Sequence, residues 1–112
     1  MQPDARDTAY LWDMLDAAQT IVKLTAKMSL PAYEEDRRTQ LAIERALEII
    51  GEAAGKVSKS FCEQHSEIPW RQIIGQRNVL IHEYGQIKHD RIWKVVKENI
   101  PQLIDTLKPM VG

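Results

Sequence analysis

Residues 77–84 read Arg-Asn-Val-Leu-Ile-His-Glu-Tyr, which gathers four polar groups of different chemistry into one short stretch. Histidine titrates near ~6.5, so His82 suits taking or giving a proton near neutrality. Arg77 offers a planar fork of donors that matches phosphate oxygens and the negative charge that collects on them during transfer. Asn78 has an amide that could orient His82 or hold a phosphate oxygen, and Tyr84 ends the stretch with a phenol. This set suits cleavage of RNA, in which a base removes the ribose 2′-hydroxyl proton and the freed oxygen attacks the adjacent phosphate. The plainer reading is that Arg77 is a surface ion-pair donor and His82 a satisfied imidazole. No HExxH, CxxC or Asp/Glu/His ligand set accompanies the stretch, so the expected chemistry needs neither metal nor cofactor.

On a helix, residues four apart share a face, which points Asn78 and His82 the same way. Residues seven apart do too, which aligns Arg77 with Tyr84 on an adjacent face. Leu80 and Ile81 would hold the segment against a core. The spacing of Trp70, Ile73, Ile74, Val79, Leu80 and Ile81 predicts the carrying helix over about Pro69 to Tyr84. Pro69 stands near its first turn, and Gly85 is placed to stop it.

Three further elements must support that helix. From about Asp7 to Met28 the residues Leu11, Met14, Leu15, Ala18, Ile21, Val22 and Thr25 form one apolar stripe. Ser29-Leu30-Pro31 ends it. A short helical turn over Pro31 to Asp36 opens a second long element reaching about Lys59, with Ile43, Ala46, Leu47, Ile50, Ala53, Ala54 and Val57 facing inward. Gly51 and Gly55 interrupt this element, each at a cost of about 1 kcal/mol relative to Ala. Close helix approach, within the fold or across a dimer, would offset that cost. Asp90 is placed to cap a fourth helix, and Asn99 before Pro101 suggests a kink or restart. Strand patterns are weak throughout. The expected fold is therefore all-α, a four- to five-helix up-and-down bundle forming a single domain over residues 1–112.

The bulk properties are consistent with this. A chain of 112 residues, 44% hydrophobic and 28% charged, buries one modest core, with little left for a deep cleft. A site on such a body is often completed by a second copy. The net charge of -1 gives no global attraction to nucleic acid. Residues 68–112, however, hold seven cations against four anions, so the acidic excess lies in the first 67 residues. The lone cysteine, Cys62, excludes an internal disulfide and fits a reducing compartment. No signal segment or long apolar run appears, and the expected location is cytoplasmic, with no membrane contact. Trp12, Trp70 and Trp93 are expected in the core. His65 and His89 read as loop histidines, and Glu52 as solvated or capping.

The motif, with its flanking blocks in order, resembles the Arg-x4-His-x-Tyr signature of HepT proteins in the HEPN superfamily. Those blocks are Arg6-Asp7, Leu47-Glu48-Ile49-Ile50-Gly51-Glu52-Ala53, Ile68-Pro69-Trp70, Ile73-Ile74-Gly75 and Ile92-Trp93. The resemblance runs over nearly the whole chain and implies an all-helical, HEPN-like endoribonuclease toxin of a toxin–antitoxin pair. It implies a homodimer whose two motifs face one another, a metal-independent site using Arg77, Asn78 and His82 on an RNA substrate, and a cognate MntA-like nucleotidyltransferase antitoxin. That partner would transfer AMP to the motif tyrosine, here Tyr84. The alternative expectation is a non-catalytic helical subunit that binds and regulates a nucleotidyltransferase.

Overall fold

A computed structural model of the chain describes residues 4–83, 85 and 87–111. Helix α1 spans Ala5–Thr25, α2 Leu30–Glu34, α3 Arg37–Lys56, α4 Lys59–Gln64, α5 Trp70–His82, α6 His89–Lys94 and α7 Ile100–Val111, with a π-helical segment, Val95–Asn99, joining the last two. No strand occurs among the described residues, and the fold is all-α as expected.

Local chemistry explains the starts of these helices. Asp4, Ser29, Asp36 and Ser58 each accept a hydrogen bond from a backbone N–H in the first turn that follows, satisfying donors that no helix can pair internally. Ser58 is itself clamped. Its N–H donates to Asp7 Oδ1 at 2.9 Å and its hydroxyl to Asp7 Oδ2 at 2.6 Å. The buried Asp7 carboxylate thereby ties the start of α1 to the start of α4.

The expected stripes form the core. Leu11, Met14, Leu15, Ala18, Ile21 and Thr25 are buried on α1, as are Ile43, Ala46, Leu47, Ile50, Ala53 and Ala54 on α3. Val22 departs from its stripe at 37% exposure, and Trp12, expected in the core, stands 48% exposed. It lies one step from Leu11, on the outer face of α1. Trp70 and Trp93 are partly buried against the core, the indole of Trp70 donating to the His65 carbonyl at 3.0 Å.

Several boundaries differ from expectation. The turn before α3 is a separate helix, α2, and the second long element ends at Lys56, with α4 following as an element of its own. Lys88, not Asp90, occupies the cap position of α6; Asp90 lies in its first turn. The helical backbone does not restart at Asn99-Ile100-Pro101: the π-helical segment runs directly into α7, and this wider turn is the irregularity that precedes Pro101.

Among the long helices, α3 packs on both α1 and α5, and α7 packs on α1. Among the described residues α5 packs along its length on α3 and meets the remaining helices only sparsely. The motif helix is thus an edge helix, with Leu80 its one fully buried residue.

Candidate functional site

The motif helix is positioned through a single tight contact. A Cβ added at Gly51 would collide with Arg77 Cβ, lie 3.0 Å from Arg77 Cγ and 3.1 Å from the Ile73 carbonyl oxygen. The missing side chain is what lets α5 come this close to α3, and it fixes the root of Arg77. Gly55 has nothing within 4 Å of an added Cβ. Of the two glycines expected to allow close approach, only Gly51 does so within the chain.

Arg77 is half-buried, and its Nε is buried without a hydrogen-bond partner among the described residues. Its Nη1 donates to Asn78 Oδ1 at 3.3 Å. A guanidinium held by its stem, with one buried donor unspent, is prepared for an anionic acceptor, since leaving such a donor unpaired costs roughly 1–3 kcal/mol. Asn78 and His82 are exposed and lie about 40° apart around the helix, at the four-residue spacing read from the sequence. Arg77 and His82 are five residues apart, which separates them by roughly 140° around the axis and ~7.5 Å along it. One chain therefore brings Asn78 together with His82, and Asn78 together with the Arg77 guanidinium. It does not converge Arg77 and His82 on one point.

His82 is the last residue of α5. The helix stops there rather than at Tyr84, and Glu83 caps it with its N–H on the Val79 carbonyl at 2.8 Å. No described glycine has positive φ, so Gly85 does not supply a left-handed stop. Tyr84 lies outside the described residues. Glu52 is exposed and pairs with Lys56 at 3.5 Å along its own helix, the solvated role expected of it. Among the described residues, no three His, Cys, Asp or Glu side chains gather as a metal-ligand group, and no helix is long and apolar enough to cross a membrane.

Residues 14–110 match the family described as ribonuclease HepT-like. The chain belongs to the HepT-like ribonuclease family. Membership places it among endoribonucleases, and its all-helical architecture is HEPN-like. It is 42% identical over 94 residues to the probable ribonuclease HepT of Thermococcus cleftensis, covering 84% of this chain and 86% of that one. It is 36% identical over 95 residues to an inferred RNase of Methanocaldococcus jannaschii, covering 85% and 87%. An inferred RNase of Caldanaerobacter subterraneus is 34% identical over 102 residues, covering 91% of both chains. No solved structure matches the chain.

A second polar group was not legible in the sequence of this HepT-like chain. Tyr33 on α2 is fully buried, and among the described residues its hydroxyl has no hydrogen-bond partner, nor does His89 Nδ1 on α6; Glu44 Oε2 on α3 has no hydrogen bond there either but pairs with Arg37 Nη1 at 3.9 Å. The Tyr33 ring meets His89 edge-on at 6.0 Å and Trp93 at 5.2 Å. Burial first, and the Glu44 charge second, hold the Tyr33 phenol far above its ordinary range. A lone tyrosine in a short polar turn gave no signal of this. His89 opens α6, and His65 caps α4 while stacked on Phe61 at 4.2 Å, so both sit at helix ends. Burial raises the Cys62 thiol above its usual value, with Asp7 adding to the effect, which makes it a packed, inert cysteine.

Proposed function

We propose that two copies of the chain form one metal-independent endoribonuclease site, the toxin half of a toxin–antitoxin pair, in which Arg77 of one copy works with His82 of the other. One observation carries this reading. Arg77 is rooted on Gly51 with an unspent donor, while His82 is exposed and points away from it around α5, so a second copy is needed to bring an imidazole opposite a guanidinium. A two-fold axis beside α5 supplies both.

In the reaction, one His82 takes the proton of the ribose 2′-hydroxyl and the oxygen attacks the adjacent phosphorus. The bond to the 5′-oxygen breaks, and the second His82 gives that oxygen a proton. The products are a cyclic phosphate and a 5′-hydroxyl. Arg77 stabilises the charge on the phosphate oxygens as it grows, and Asn78 orients the guanidinium or holds a phosphate oxygen. The partner is a minimal nucleotidyltransferase of the MntA kind, which transfers AMP to Tyr84. Tyr84 follows His82 by two residues, so the added phosphodiester would compete with RNA for Arg77, a charge-assisted contact of ~1–3 kcal/mol.

His82→Ala and Arg77→Ala should each abolish cleavage of RNA and leave the helical circular dichroism unchanged. Wild-type cleavage by purified His82→Ala protein would overturn the assignment, and an RNA-inert wild type would favour the non-catalytic subunit. Mixing the two variants tests the composite site. Heterodimers keep one intact Arg77 opposite one intact His82, with water in place of the second histidine as acid, and should regain a small part of the activity; no recovery would mean either that each chain holds its own half or that both histidines are needed at once. Mass spectrometry after incubation with the partner and ATP should find AMP on Tyr84. AMP on Tyr10 or Tyr33 would end the regulatory reading.

A further inference from the structure

Charge is unevenly shared among the helices. Among the described residues, every other helical element carries at least one Asp or Glu, from Asp7, Asp13 and Asp16 on α1 to Asp105 on α7. α5 carries none; its charged residues are Arg71 and Arg77, and His82 ends it. In a chain of net charge -1, the motif helix is thus the one whose charges are all positive. Of the acids that bracket it in the sequence, Glu67 is engaged by His65 at 3.2 Å, and Glu83 lies beyond His82. Arg71 is exposed and makes no ion pair or hydrogen bond among the described residues.

Arg71 also shares a face with the motif. It precedes Asn78 by seven residues and His82 by eleven. That spacing sets it within about 20° of each around the axis, and ~10.5 Å and ~16.5 Å from them along it. All three are exposed, on the side of α5 that α3 leaves open. Asn78 accepts from the Arg77 guanidinium at 3.3 Å and so draws it toward the same face. Between Arg71 and Asn78 the helix is bare, because Gly75 is exposed with nothing within 4 Å of an added Cβ. Glycine is a poor helix former, and no neighbour within the described chain requires it there. An uncovered backbone admits close approach by a ligand.

We infer that Arg71 is a second phosphate-binding residue, which positions the RNA strand along α5 by holding a backbone phosphate several nucleotides from the one cleaved. The inference rests on the reading that Arg77 and His82 cut RNA. The planar guanidinium matches phosphate oxygens, and phosphate contacts fix the register of a strand without reading its sequence. Two arginines on one helix grip the strand at two points, and the bare step at Gly75 lets its sugar–phosphate backbone pass between them. A second copy of α5 laid along the whole face would set arginine near arginine with no acid on either helix to offset them. The two-fold axis therefore lies toward His82 and leaves the Arg71 end to RNA.

The test compares cleavage of an oligoribonucleotide with that of a dinucleoside monophosphate, whose single phosphate can lie at His82 but cannot also reach Arg71. Arg71→Ala should raise KM for the oligonucleotide roughly tenfold, the loss of one charge-assisted contact. It should hold kcat and leave the dinucleoside unaffected. Arg71→Lys, which keeps the charge without the fork, should recover part of the loss. Binding to an uncleavable 2′-deoxy analogue gives the salt dependence, whose log–log slope should shrink by about 0.7, the share of one phosphate on a single strand. Gly75→Leu, which puts a side chain in the strand's path, should raise KM likewise while melting no lower than wild type. Wild-type KM and salt slope in Arg71→Ala would overturn the inference and leave Arg77 and His82 as the cleaving pair. An equal loss on both substrates would overturn it by placing Arg71 at the reacting phosphate. Conversion of the Arg71→Ala dimer to monomer would overturn it by making the face a contact between copies. If the wild type does not cut the dinucleoside, the split between KM and kcat and the salt slope decide. Wild-type cleavage by His82→Ala would remove the site and this inference with it.

Discussion

Gly51→Ala is the substitution that tests how Arg77 is positioned. Alanine favours a helix interior over glycine by about 1 kcal/mol, so on propensity alone the change would stabilise α3. The new methyl, however, meets Arg77 Cβ, Arg77 Cγ at 3.0 Å and the Ile73 carbonyl at 3.1 Å. A flexible side-chain end could swing aside, but Cβ and a helix carbonyl are fixed to the α5 backbone. Carbon atoms pack at about 3.5–4.0 Å, so the α3–α5 seam must open by on the order of 1 Å. Overpacking of this kind costs ~1–3 kcal/mol, which leaves a net loss of about 0–2 kcal/mol after the helix gain. The effect on function should be larger than that on stability, because a displacement of ~1 Å at a positioned group lowers a rate by roughly 100-fold. Gly55→Ala is the internal control. With nothing within 4 Å of its new methyl, it should gain ~0.5–1 kcal/mol and keep full activity. Urea denaturation and single-turnover cleavage of a labelled RNA measure both quantities. A Gly51→Ala protein as stable and as active as Gly55→Ala would refute the account of the seam.

Three other outcomes follow from the geometry. Asp7→Ala removes two acceptors and strands the Ser58 N–H and hydroxyl, so urea denaturation should show a loss of about 1–3 kcal/mol; no loss would mean the clamp between α1 and α4 holds nothing. The Asp36 carboxyl titrates below its ordinary 3.8, held there by hydrogen bonds from Thr39, first from its backbone and then from its side chain. A lowered folded-state value gives stability that is present above 3.8 and lost as pH falls below it. Asp36→Asn, which keeps the cap but cannot titrate, should therefore show a flatter melting temperature in that acid range; parallel curves would reject the linkage. Cys62 lies above its ordinary 9.0, so at pH 8 it should react with a disulfide reagent more slowly than a free peptide thiol, and unfolding should abolish the difference.

Much of the fold was legible because it rests on local rules. Helical spacing marked the buried stripes of α1 and α3 at every expected position but Val22, since an apolar stripe of that period needs a cover. Ser29-Leu30-Pro31, expected to end the first helix, instead opens α2: α1 stops at Thr25, Ser29 caps the next helix and Pro31 stands in its first turn, where a missing N–H does no harm. The four-residue spacing of Asn78 and His82 placed them on one face, because the helix is regular through His82. The types of the motif residues, and the blocks around them, were likewise a property of the sequence.

What only the tertiary structure decided is which surfaces have neighbours. The periodicity of α5 resembles that of α3, yet among the described residues α5 buries only Leu80, because it packs along α3 and meets the other helices sparsely. Spacing cannot distinguish Gly51 from Gly55; a facing Arg77 makes one indispensable and leaves the other open to solvent. Trp12 and Val79 carry apolar side chains that a pattern assigns to a core, and both stand largely exposed because the described helices leave those faces uncovered. Tyr33 runs the other way, a polar residue in a short turn that α3 and α6 close over completely. Periodicity fixes the direction of a side chain relative to its own helix. Whether another helix lies in that direction depends on contacts between residues far apart in the chain, and these no local pattern encodes.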